Sequence, residues 1–391
     1  MRDYFRENDA IRFVFPIDGD CVNVGDGVSE RGAVEVTAKV AAPEGHDIII
    51  CGEKAEWKDG YYTAKVEVYG HRTIFTAKDA ITGDDCHIAV YYLPNSVGGY
   101  RISSDDNILF LADITYHQDE YKSIFENPYL AVYKKAHDLY GAKVHINLFY
   151  EFCGEAKKCF SADRPDFNLS MMTDKFKDEF RANSDWLKLS FHAKNEKPDK
   201  PYQNASAEEV TRDCIRVNRE ILRFAGAEVM SPVTTIHWGE ANENVVRAMR
   251  EMGYKAMTGY FMHMSSAPVA YHTPYELTKH IYDRDFWYDS DNDVFFGRID
   301  NVLNGSTNEA NMAEIAEITG SPTRGGFVSI MIHEQYFYED YVSYRPDFEA
   351  RVLDPARMLW EKGYKGRLIS EVIEERKLCD FPFDKVDYMK I

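Results

Sequence analysis

The stretch FVSIMIHEQYFYEDY, from Phe327 to Tyr341, opens with a short run, Phe327–Ile332, that is apolar apart from Ser329. A run of that length, rich in Val and Ile, reads as a buried strand. His333 and Glu334 follow at once, and then Tyr336, Phe337, Tyr338 and Tyr341. In parallel α/β sheets and barrels, chemistry gathers where strands end at their C-terminal edge. A core strand with a polar, ring-rich tip is what that arrangement requires.

Other apolar runs in this part of the chain end in the same way. From about residue 105 strands and helices alternate. Ile108–Ala112, Val144–Phe149, Trp186–Phe191, Val229–Thr234, Tyr254–Thr258 and Val294–Gly297 read as further strands. Asn127-Pro128 is a helix start, with Gly141 as its stop. Ser206-Ala207-Glu208-Glu209 is a capping box that opens a helix carrying Val210, Cys214, Val217, Ile221 and Phe224 on one stripe, closed by Gly226. Asn242–Met252 is the next helix, and Asp354-Pro355 starts a late one that Gly363 terminates. Sustained alternation predicts an α/β fold with its parallel sheet closed as a barrel, an open doubly wound sheet being the alternative. No GxGxxG or GxxxxGK[ST] pattern is present, so the nucleotide-binding version is not indicated.

The first part has another rhythm. Ile11–Phe15, Val34–Val40, Asp47–Ile50, Tyr61–Val68, Arg72–Ala77 and His87–Leu93 are short strands, and Lys58-Asp59-Gly60 is a hairpin turn. Residues 1–97 are therefore expected to form a small all-β sandwich of immunoglobulin-like type. Pro94–Gly99 would be the joint, and the barrel would occupy 105–391.

Composition narrows the function. A net charge of −19 over 391 residues disfavours nucleic acid and anionic membranes. No apolar run approaches the ~20 residues of a membrane span. The start, MRDYFRENDA, has no apolar signal region, so a cytoplasmic location is expected unless a leader has been removed. The seven cysteines, including Cys153, Cys159 and Cys379, are scattered without a CxxC and read as reduced thiols rather than metal ligands.

Four strand ends carry chemistry. Asp113 follows the run Ile108–Ala112, His192 follows Phe191, and His237 with Trp238 follows Val229–Thr234. His333 and Glu334 follow Ile332. In register these groups would meet at one rim. Imidazole and carboxylate together suit a divalent metal, zinc being the simplest choice. Glu196, four residues after His192, could join them or be solvated beside Lys194 and Lys197. His117 and His263 lie further into loops, and His137 and His145 read as packing residues. Tyr336 and Tyr338 have the rings and polar tips that stack on sugars, and the row DFWYDSDNDVFF from Asp285 to Phe296 could extend such a wall.

These positions resemble the NodB-homology polysaccharide deacetylases over about residues 105–375. FLADITYHQ, SFHAKNE, TIHWGEANENVVRAMREMGYKAM and MIHEQ stand in the order of that family's motifs. The resemblance implies a deformed (β/α)7 barrel and a metal-dependent carbohydrate hydrolase, most simply a deacetylase of an N- or O-acetyl sugar. It implies metal ligation by Asp113 and His192, with His237 as third ligand, and proton transfer by Glu334 as base and His333 as acid. Trp238, Tyr336, Tyr338 and Glu196 would face the substrate. The chain departs from the motifs in three places. One carboxylate follows Ala112 where the family has two, Glu196 stands where it has a second histidine, and Thr235 replaces its arginine. A glycoside hydrolase built on Glu334 and a second carboxylate, or a carbohydrate-binding protein that has lost activity, are the other readings.

Overall fold

The computed structural model describes residues 10–262 and 270–373. His263 and Cys379, named above, lie outside them. Two sheets occupy the first part. One has the order Arg12–Phe15, Glu35–Ala41, Tyr61–Glu67, Glu56–Lys58, all antiparallel. The other runs Cys21–Val22, Asp85–Tyr92, Arg72–Asp79, Ile48–Ile50, Glu53–Lys54. Alternation along each strand sends one set of side chains inward. Val36, Ala38 and Val40 are buried between Glu35, Thr37 and Lys39, and they pack with Ile48, Ile50, Phe75, Ala77 and Val90. The turn between Lys58 and Tyr61 has positive φ at both Asp59 (52°) and Gly60 (85°), the requirement of a two-residue hairpin.

The remainder is a mixed α/β structure around parallel strands. Gly99–Asn107 is central. It pairs in parallel with Val144–Phe149 on one side and Phe327–His333 on the other, and Leu187–Ala193 and Asn301–Val302 flank these. A second sheet holds Val233–Thr234, Ala256–Gly259 and Val294–Arg298 in parallel, with Phe286–Asp289 antiparallel at its edge. Backbone hydrogen bonds join the two sheets at both sides. Ser231 N–H donates to Leu189 O (2.9 Å) on one side, and Asp300 N–H, just after Val294–Arg298, donates to Ser329 O (2.7 Å) on the other. Among the described residues no helix is long and apolar enough to cross a membrane.

Helix ends follow their local chemistry. Asn127 caps Pro128–Tyr140, and Gly141 at φ 65° closes it. Ser206 and Glu209 form the reciprocal box that starts Ala207–Phe224. Three expectations need correction. The strand expected at Ile108–Ala112 is a helix, Leu109–Tyr116. Its apolar run buries Leu109, Phe110, Leu111, Ala112 and Ile114, so it satisfies a helix wrapped by core as well as a strand. The late helix begins not at Asp354-Pro355 but at Phe348, and passes through Pro355 to Glu361. Phe348, Val352, Ala356 and Leu359 continue one buried stripe across the proline. The aromatic row Phe286, Trp287 and Tyr288 is buried packing, not a ligand wall. Trp287 Nε1–H donates to Asp18 O (3.0 Å) and Tyr288 packs edge-on against Tyr91, which fastens the second sheet to the first part of the chain. Asp20–His280 (2.6 Å) and Arg284–Asp26 (2.6 Å) reinforce that contact.

Candidate metal centre

The central strand ends in Ser103-Ser104-Asp105-Asp106-Asn107. Asp105 is opposite His333 in the register with Phe327–His333, so the acidic pair emerges at the same edge as the histidine. Asp106 then turns with φ 63°, a left-handed conformation that Asp tolerates better than most residues. The chain enters Leu109–Tyr116 immediately afterwards.

Asp106, His192 and His237 converge. Their ligand atoms lie within 4.8 Å of one another, and all three residues are buried. Asp106 Oδ1 is 3.0 Å from His192 Nε2 and 3.1 Å from His237 Nδ1, and the two imidazole nitrogens are 3.1 Å apart. The opposite ring nitrogens are committed to carbonyls: His192 Nδ1–H donates to Thr235 O (2.5 Å) and His237 Nε2–H to Glu196 O (3.1 Å). Three lone pairs therefore face one point in the neutral tautomers, and a cation is what satisfies them. Two imidazoles and a carboxylate, each ring held by an outer acceptor, form a donor set suited to a divalent metal. Burial raises the Asp106 pKa, but the charges of His333 and His237 outweigh it and hold the carboxyl well below its usual range. Burial likewise opposes protonation of His237, and the Asp106 carboxylate reverses this, raising its pKa.

Asp105 is placed from below. Arg101 is fully buried and donates to His145 Nδ1 (3.0 Å). His145 Nε2–H then points to Ser190 Oγ (2.8 Å), Ser190 donates to Asn147 Oδ1 (2.6 Å), and Asn147 Nδ2–H donates to Asp105 Oδ1 (2.6 Å). Arg101 can only donate, which makes His145 Nδ1 the acceptor and puts the imidazole proton on Nε2, so the chain runs one way. Arg101 also donates to Ser329 Oγ (2.9 Å) and Thr258 Oγ1 (2.8 Å). Burial lowers the Arg101 pKa to about 10. Burial, and then the Arg101 charge, keep the His145 pKa well below the usual imidazole value.

Asp105, Asp106, His192 and His237 open into a cavity of about 550 Å³ that is also lined by Glu196, Trp238, Tyr260, His333, Gln335 and Tyr336. His333 Nδ1–H donates to Asn304 Oδ1 (2.9 Å), leaving Nε2 on the side of Asp106 Oδ2 at 3.9 Å. Gln335 Nε2–H donates to that same Oδ2 at 2.8 Å. Burial, followed by the charge of Asp106, pushes the Glu196 carboxyl up to about 7. Trp238 is exposed at the mouth, with φ 67°.

The structure thus brings together His192, His237, His333, Glu196, Trp238 and Tyr336 from the sequence-expected set. It leaves out Asp113, Glu334 and Tyr338. Asp113 sits on the helix that replaces the expected strand, where it accepts Tyr121 Oη–H (2.9 Å) and Asn127 Nδ2–H (2.7 Å) and pairs with His117 (3.0 Å). Asp106 stands in the cluster in its place. Glu334 is fully buried and accepts the N–H groups of Ile108 (2.6 Å), Leu109 (2.9 Å) and Phe110 (2.5 Å). It caps a helix N-terminus, which favours an anion, and its lone pairs are spent there. Tyr338 donates to Glu334 (2.8 Å) and stacks under Arg164 (4.6 Å), so it belongs to the same buttress. The missed residues, Asp105 and Asp106, had a signal in the sequence: an acidic pair ending an alternating segment, Tyr100-Arg101-Ile102-Ser103-Ser104.

No protein-family profile and no curated protein matches this chain. Among solved structures it is similar to a protein described as a polysaccharide deacetylase from Mycobacterium smegmatis, at 10% identity and TM-score 0.42, over 71% of this chain and 88% of the other. It is also similar to the Bc1960 peptidoglycan N-acetylglucosamine deacetylase, solved in complex with 4-naphthalen-1-yl-N-oxidanyl-benzamide. There the identity is 10% and the TM-score 0.36, over 73% and 92%. With TM-scores this low, the chemistry rests on this chain's own residues.

Proposed function

We propose that this chain is a metal-dependent hydrolase of an acylated carbohydrate, most simply a deacetylase of an N- or O-acetyl sugar. The observation that carries the reading is the convergence of Asp106 Oδ1, His192 Nε2 and His237 Nδ1, with Asp105 next in sequence and fixed by Asn147. A divalent ion held by the three would polarise an acyl carbonyl and make water nucleophilic near neutral pH. Asp105, with one oxygen held by Asn147, takes the proton from the attacking water. His333, its Nδ1 tied to Asn304, presents Nε2 to the leaving group as the acid. Trp238 and Tyr336 supply ring faces for sugar.

In this reading the fold is a deformed (β/α)7 barrel preceded by an immunoglobulin-like sandwich. The bonds from Ser231 to Leu189 on one side and from Asp300 to Ser329 on the other support the barrel. The two facing sheets of the first part support the sandwich. A glycosidase pair built on Glu334 is disfavoured, because three backbone amides and Tyr338 occupy that carboxylate. The test is acetate release from acetylated chito- and xylo-oligosaccharides with and without added zinc. Zinc-dependent release that His192→Ala abolishes supports the reading. Zinc-independent release, or none from any acetylated sugar, refutes it.

A further inference from the structure

The same cavity has a second wall, remote in sequence from the metal centre and unused by the chemistry above. It is formed where Val294–Arg298 passes into Asn301–Val302, and it presents Arg298, Asp300 and Asn301, with Tyr282 from the preceding helix. All three of the first group are buried to 94% or more. Arg298 donates from Nη1 to Asp300 Oδ1 (3.0 Å), and its guanidinium lies over the Tyr282 ring at 4.2 Å. Asn301 gives its Nδ2–H to Glu314 (2.6 Å). Among the described residues two buried polar atoms then have no hydrogen-bond partner: Arg298 Nε, a donor, and Asn301 Oδ1, an acceptor. Buried groups of that kind are costly when left unsatisfied. Residues that line a cavity and carry such atoms are ready for a ligand that can both give and accept hydrogen bonds.

Charge decides what kind of ligand. Arg298 is already matched by Asp300, and Asp105, Asp106, Glu196 and Glu314 line the same cavity. A carboxylate or phosphate on the ligand would face this acidic wall, while an ammonium group would meet the spare donors of Arg298. Neutral hydroxyl groups suit both.

We infer that Arg298, Asp300 and Asn301 form a hydroxyl-binding subsite that holds the sugar of an acyl-sugar substrate while its acyl group lies at the metal centre. This rests on the proposed function for its catalytic half only; the subsite itself requires no turnover. At about 550 Å³ the cavity falls within the 300–1,000 Å³ range of small-molecule sites, so the preferred ligands are monosaccharides or chain ends of one or two rings.

The test is calorimetric titration of the full-length protein with N-acetylglucosamine, N,N′-diacetylchitobiose and xylobiose. Acetamide, which has the acyl group but no hydroxyls, serves as the control. Asp300→Asn and Asn301→Ala are examined alongside, because Asp300 also accepts the Ser329 N–H (2.8 Å) and its variant alone could fail to fold. The expected result is binding of at least one sugar by the wild type, weakened about tenfold or more by a folded variant, the loss of one hydrogen bond to a charged or buried partner. Acetamide binding and zinc uptake should not change. Sugar affinity equal in wild type and both variants, or no sugar binding at all, overturns the subsite. Sugar binding that depends on these residues without any acetate release would sink the deacetylase reading and leave the subsite standing.

Discussion

Glu334 Oε2 accepts the backbone N–H of Ile108 at 2.6 Å, which ties the tip of Phe327–His333 to the turn that follows Asp106. Its neighbours act on the same turn. Gln335 holds Asp106 Oδ2, and His333 stands 3.9 Å from it. Three consecutive residues thus set the conformation of one carboxylate on the adjacent strand.

Because Glu334 satisfies three buried amides, Glu334→Ala should behave as a structural lesion. Each charge-assisted bond is worth about 1.5–3 kcal/mol, so a loss of about 3 kcal/mol or more is expected as a lowered urea midpoint. A variant with wild-type stability and lost activity would instead restore Glu334 to a catalytic role.

Arg101 supplies the first donor of the chain that ends on Asp105. Arg101→Met leaves the acceptors on Ser329 and His145 without that donor, and about 2–3 kcal/mol of stability should be lost. Acetate release should fall while zinc stoichiometry is kept, since none of the three clustered ligands touches Arg101. Loss of bound zinc in a folded Arg101→Met protein would contradict this division of labour.

In the first part of the chain, Asp79 is held to a pKa of about 2 by the hydrogen bond from His46 Nδ1 (2.5 Å), with further bonds from the amides of Ile81 and Thr82. A folded-state pKa below the unfolded value of about 3.9 means that the stabilisation is complete above about pH 4. It is lost as the pH falls through 2. The difference in Tm between wild type and Asp79→Asn should shrink across that window. A difference that stays constant from neutral pH to pH 2 would show that the ionised carboxylate is not what stabilises the turn.

What could be read from sequence divides along physical lines. The strands ending in His192 and His333 are mostly apolar and buried on both faces, which gives them a plain signal. The helices after Asn127 and Ser206 announce themselves by their caps. The central strand does not. Its inward positions carry Arg101, Ser103 and other polar groups of the network beneath the site, so it lacks an apolar run. The next segment, Ile108–Ala112, has such a run because it is a helix buried on nearly every side. Periodicity cannot separate a short buried helix from a buried strand, and that exchange displaced the carboxylate by seven residues, from Asp106 to Asp113. The place of Glu334 is hidden for a related reason: being next to a histidine at a strand end does not reveal that a carboxylate caps a helix more than 200 residues away.

The most direct test of the account is zinc titration of the metal-free protein alongside Asp106→Asn, His192→Ala, His237→Ala and Asp113→Asn. One zinc per chain is expected in the wild type and in Asp113→Asn. Each of the other three should bind zinc more weakly, by more than the roughly 10- to 100-fold that follows loss of an outer hydrogen-bond partner. Wild-type affinity in a folded Asp106→Asn protein, or no zinc bound by the wild type, would contradict a metal centre at Asp106, His192 and His237.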